Sequence, residues 1–276
     1  MKLTNAVLLV VFHHLTFSTS LFAQQSQPSS AAQIVNQMLQ AERTAWNDRQ
    51  HFLYRSEERS NRTNGHLWDE LVVETPDGSM QRLISEDGKT LTDTQKKTED
   101  KRIAYLANHP NDFRRKNQSR RDDEARMPEL LQDIPRMFLF TTVSSEGEQT
   151  RIAFQPNPAF HEQSYQDRVV HAMGGLLIIH TADMRLCELD AHLEHKVGFG
   201  FGLLGMLSDK TYMSLVRDKV STGQWTTTKL SVHLDGRILL LKSISRDLDS
   251  SRYDFKPVAH DLSVAEAANI LRSKSF

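Results

Sequence analysis

The stretch WTTTKLSVHLDGRILLLKSIS, Trp225 to Ser245, decides how this chain is read. Thr226, Thr228, Leu230, Val232 and Leu234 fall on one side, and Thr227, Lys229, Ser231 and His233 on the other. A period of two with one polar side describes an antiparallel strand whose outer face meets water. Asp235-Gly236 then reads as a turn, and Arg237–Ser245 as the returning strand, because Asp-Gly supplies the positive φ angles of a tight hairpin.

The same grammar recurs outward from this hairpin. Strands are expected at 51–59, 66–75 and 79–86, with turns at Asn64-Gly65, Pro76-Asp77-Gly78 and Asp87-Gly88. Further strands are expected at Met137–Val143, Arg151–Phe154, Val169–Thr181, Met184–Glu194, Tyr212–Val220 and Tyr253–Phe255, with a turn at Glu146-Gly147. Loops this short join antiparallel neighbours, since parallel pairs need long crossovers. Helices open on capping boxes at Ser30/Gln33, Thr92/Gln95 and Ser263/Glu266. The first has apolar residues at 34, 35, 38, 39, 45 and 46. The expected fold class is α+β: one large curved antiparallel sheet, an open half-barrel of about eleven strands, with helices covering the concave face.

Residues 1–23 differ from the rest: Lys2, no acid, an apolar run Ala6–Phe12 continued past His13 and His14, and Ala23 before Gln24. That pattern is a cleavable secretory signal, which predicts export to the periplasm without a stable transmembrane anchor. A polar spacer, 24–30, follows, then a single domain over 31–276 carrying a charged helical insertion at 92–134. Removing residues 1–23 leaves 33 basic against 35 acidic residues, so nucleic acid is not an expected partner. The lone Cys187 cannot form an internal disulfide and reads as a buried strand residue facing the same way as Leu189, Ala191 and Leu193.

Chemistry-bearing motifs are few. The chain has no G-x-S-x-G, H-E-x-x-H, P-loop or Cys-x-x-Cys. Gly198-Phe-Gly-Phe-Gly202 lacks the surrounding βαβ unit of a dinucleotide loop. His192-Leu-Glu-His195 is the one close group of metal-ligand types, and strand geometry points His195 away from His192 and Glu194. No catalytic residue, metal or cofactor is assigned, and a non-enzymatic role is expected, with a metal hydrolase around His192 and His195 as the weaker alternative.

Tyr54-Arg-Ser-Glu-Glu-Arg, Trp68-Asp-Glu-Leu-Val-Val-Glu-Thr-Pro-Asp-Gly, Arg82-Leu-Ile-Ser-Glu-Asp-Gly and Ser251-Arg-Tyr-Asp-Phe255, set after a signal and an amphipathic helix, carry a diffuse resemblance. The chain from about Ala31 to Arg272 resembles the bacterial periplasmic lipoprotein-carrier-like (LolA-like) superfamily and departs from it in the longer charged insertion. The resemblance implies a half-barrel whose concave apolar face receives acyl chains, hence lipid or lipid-anchored protein as cargo. The residues expected to line that face are Phe138, Phe140, Leu177, Ile179, Leu189, Leu193, Leu230, Val232, Leu239 and Leu241. Each buried methylene of an acyl chain is worth about 0.8 kcal/mol there. The same residues could instead make a filled core against Trp46, Leu130, Leu131, Ile134 and Leu271. The alternative function is an envelope interaction or sensor module that docks a partner protein through Arg114, Arg115, Arg120 and Arg121.

Overall fold

The computed structural model describes residues 30–199, 205–220, 223–238 and 242–273. The signal segment, Leu239, Leu241 and Gly200–Gly202 lie outside the described residues. The elements run α1 (Ala31–Asn47), β1 (Phe52–Ser60), β2 (Leu67–Thr75), β3 (Gly78–Glu86), β4 (Lys89–Thr90), α2 (Asp93–Asn108), α3 (Pro110–Lys116), α4 (Gln118–Met137), β5 (Phe138–Glu146) and β6 (Gln149–Pro156). They continue as α5 (Tyr165–His171), β7 (Met173–His180), β8 (Arg185–Leu193), β9 (Val197–Phe199), β10 (Gly205–Leu207), β11 (Tyr212–Lys219), β12 (Trp225–Ile238), β13 (Lys242–Pro257) and α6 (Val264–Ser273).

Eleven strands form one path, β4-β3-β2-β1-β13-β12-β11-β8-β7-β6-β5, and β9 and β10 extend it beside β12. Every pairing is antiparallel. The outermost strands β4 and β5 do not meet, so the sheet stays open. β1 pairs with β13, which joins the strands on either side of the helical insertion into one sheet. The turns at Asn64-Gly65 and Asp87-Gly88 have positive φ at both residues, as a primed hairpin requires. At α1, Ser30 accepts the Gln33 backbone N–H and Gln33 accepts the Ser30 backbone N–H, which satisfies two otherwise orphaned donors.

Cross-strand register traces one face through the whole sheet. Ile152 pairs with Leu177, Leu177 with Leu189, Leu189 with Leu215, Leu215 with Leu230, Leu230 with Ser250 and Ser250 with Glu58. On that face α1 and α4 cover β5 to β8, with Val35, Met38, Leu39 and Met137 packed on Phe138, Ile152, Phe154, Leu177 and Ile179. Leu53, Leu71, Val73 and Met80 alternate onto the opposite face, where α2, α3 and α6 bring Ile103, Phe113, Val264 and Leu271. The two largest cores thus lie on opposite faces of one sheet.

The structure departs from the sequence reading at three places. Asp235-Gly236 is no turn: β12 runs through it to Ile238, and β13 takes in Lys242–Ser245 of the expected return strand together with Tyr253–Phe255. A Cβ on Gly236 would stand 2.5 Å from the Met206 carbonyl oxygen, so the glycine admits β10 against β12. Val169–His171 is helical, the end of α5, whose Ser164/Asp167 capping box outweighs the strand preference of two valines. Cys187 sits at an irregularity of β8, where Ile178 pairs Glu188 and Ile179 pairs Leu186, so Leu186 rather than Cys187 joins Leu189 against α1. Cys187 is nonetheless buried, and burial pushes its thiol up.

Candidate functional site

A cleft of about 380 Å³ opens where the end of α1, the start of α4, the β2–β3 turn and the first residues of β12 converge. Its lining includes Glu42, Trp46, Arg49, Glu74, Arg120 and Trp225. Glu42 lies on the apolar stripe of α1, one turn beyond Met38, where an unpaired carboxylate would be costly. It is answered by two guanidiniums from strands far away in sequence. Arg185 Nε donates to Oε1 at 2.9 Å and Nη2 to Oε2 at 3.0 Å; Arg217 Nη1 donates to Oε1 at 2.6 Å. The Leu186 backbone N–H adds a fourth bond. Burial alone would raise the Glu42 carboxyl, but Arg185 and Arg217 hold it below the usual carboxylate range.

A second carboxylate is shared in the same way. Glu124 on α4 takes Arg120 Nε at 3.0 Å on one oxygen and Arg49 Nη2 at 3.2 Å on the other. Arg120 also donates to the Ser79 hydroxyl at 2.7 Å, and Arg49 lies 4.5 Å over the Trp46 ring. Glu74, also in the lining of the cleft, accepts the Phe52 backbone N–H at 3.0 Å, and among the described residues it has no ion-pair partner. Burial pushes its carboxyl above the usual range. His51 stacks on His260 at 4.9 Å, and its Nδ1 is buried without a hydrogen-bond partner among the described residues. Burial first, then His260 and Arg49, press its pKa below the ordinary histidine value.

On the same face as Arg217, an apolar strip leads away from the cleft. Leu215 and Leu230, then Met213, Val232 and Leu248, and Leu234 beyond them are half-buried, and among the described residues no helix core includes them. From Leu230 to Leu234 the strip is about 13 Å long at strand rise.

The ten residues expected to line the concave face divide accordingly. Phe138, Leu177, Ile179 and Leu193 are buried, and Phe140 and Leu189 pack against the α1–α4 core, so this part is filled. Leu230 and Val232 belong to the half-buried strip. Of the arginines expected to form a docking surface, Arg114 pairs with Asp77 at 2.9 Å and Arg115 with Asp112 at 2.9 Å, while Arg120 is committed as above. Arg121 on α4 is half-buried. His192 lies 3.5 Å from Glu194, and no group of three or more metal-ligand side chains is found among the described residues.

Sequence reasoning missed the cleft because its residues come from α1, β1, β2, α4, β8, β11 and β12. One signal was present: Glu42 interrupts the stripe of α1, and a buried acid demands a cationic partner. No family model matches the chain, and neither a curated protein nor a solved structure shows detectable similarity to it.

Proposed function

We propose that this chain is an exported, non-enzymatic periplasmic protein that binds a lipid or a lipid-anchored cargo. The observation that carries this reading is the apolar strip of β11 to β13. Met213, Leu215, Leu230, Val232, Leu234 and Leu248 stand on one face of an open sheet, half-buried beside a polar cleft, and among the described residues they belong to neither of the helix-covered cores. Several apolar side chains left together at a sheet surface are a binding feature more often than an accident of packing. Under this reading the strip takes the apolar part of the ligand and the cleft its polar end. Docking of an envelope partner through the insertion is less well supported, because Arg114, Arg115 and Arg120 already hold carboxylates of their own chain.

Native mass spectrometry of the protein purified from the periplasm without detergent, followed by organic extraction, tests the proposal. A discrete added mass that extracts as lipid is the expected result. A bare chain that stays bare after incubation with phospholipid vesicles overturns it.

A further inference from the structure

Four guanidiniums line the cleft, and among the described residues they share two carboxylates: Arg185 and Arg217 on Glu42, Arg49 and Arg120 on Glu124. Each triad is left with one positive charge in excess. In the first triad the side chains are only 12 to 15% exposed, so water screens that charge weakly. The other bonds of these arginines go to neutral acceptors, Arg217 to the Trp225 carbonyl, Arg49 to the Trp46 carbonyl and Arg120 to the Ser79 hydroxyl, so they do not reduce the excess charge. The remaining acids do not cancel this arrangement. Asp48 is exposed at the cleft, and among the described residues Glu74 has no cation bonded to it. Burial raises the Glu74 carboxyl, which weakens the repulsion it offers to an anion.

We infer that the cleft selects an anionic headgroup, a carboxylate or a phosphate, on an amphiphile whose chain lies along Leu215, Leu230 and Val232. The inference rests on the lipid-binding reading above and narrows it to one class of ligand. A cationic or uncharged headgroup would leave both excess charges of the triads uncompensated.

Trp46 and Trp225 line the cleft, so intrinsic fluorescence reports its occupancy. The full chain is titrated with four probes of one chain length: dodecanoate, dodecyl phosphate, dodecyltrimethylammonium and dodecanol, each below its micellar concentration. The two anions should bind at least tenfold more tightly than the other two, and which anion binds better separates a free fatty acid from a phospholipid-like phosphate. Arg49→Gln and Arg217→Gln should each remove most of that preference, whereas Arg115→Gln, outside the cleft, should leave it intact. Arg49 is on the surface, so its variant reports even if Arg217→Gln folds poorly. Equal affinity for all four probes, or a preference for the ammonium, overturns the headgroup inference and leaves lipid binding standing. Binding of none of them, by fluorescence and by native mass spectrometry, overturns both.

Discussion

Asn117, between α3 and α4, lies directly on Gly78 at the start of β3: a Cβ at position 78 would stand 2.6 Å from the Asn117 Cγ. Here the chain passes from α3, on the face of the Leu71–Val73 core, to α4, on the face of the cleft. Gly78 also has φ of +127°, which L side chains rarely adopt. Gly78→Ala should therefore cost about 2 kcal/mol in urea unfolding, from backbone strain and the displaced Asn117 together. Because Arg114 and Arg120 are anchored on either side of Asn117, to Asp77 and Ser79, the same variant should weaken ligand binding. Gly88→Ala, with positive φ but nothing within 4 Å of a Cβ, should destabilise less and leave binding unchanged.

Removing the carboxylate shared by Arg185 and Arg217 should be more damaging. Glu42→Gln leaves two mostly buried guanidiniums without a counter-charge and is expected to cost about 3 kcal/mol. The folded state holds Glu42 below its ordinary value, so its contribution is full above the unfolded glutamate value and is lost as pH falls through the folded one. The stability gap between wild type and variant, followed by thermal unfolding, should thus be widest near neutral pH and close toward acid. A gap that is independent of pH would mean that Glu42 acts through packing alone.

The apolar face offers a direct contrast. Leu177 is buried between β6 and β8 against α1, whereas Leu230 and Val232 are half-buried on the strip. Leu177→Ala should cost about 3 kcal/mol and leave any bound lipid in place in the fraction that folds. Leu230→Ser with Val232→Ser should cost less than that and lower the lipid recovered on extraction. Equal destabilisation by both, with no change in extracted lipid, would identify the strip as ordinary core.

Local signals read well from this sequence where one local cause decides the outcome. Asn64-Gly65 and Asp87-Gly88 are turns because primed turns need positive φ at both central positions, and both pairs supply it. Asp235-Gly236 carries the same signature and lies inside β12, because its glycine is used for the close approach of Met206 instead. That competing use comes from β10, which no window around residue 235 contains. The cleft is harder to read for the same reason. Glu42 and Arg217 are 175 positions apart, and only the register of β8 and β11 brings Arg185 and Arg217 to one carboxylate. The acid on the α1 stripe announces that a cation is needed but not which one.

Glu74 provides the sharpest test of the electrostatics, because its sign is opposite to that of Glu42. Burial raises its folded pKa, so between the ordinary glutamate value near 4.3 and that raised value the folded state keeps a proton the unfolded chain has released. Its ionisation therefore opposes folding, with no cost below about pH 4 and a growing cost as pH rises through the folded value. Glu74→Gln keeps an oxygen to accept the Phe52 N–H and removes the charge. The variant should melt at the same temperature as wild type near pH 4 and at a higher one at pH 7. If the glutamine variant is instead the less stable at pH 7, the Arg120 charge outweighs burial at Glu74, and the ionised carboxylate would repel the anionic headgroup proposed for the cleft.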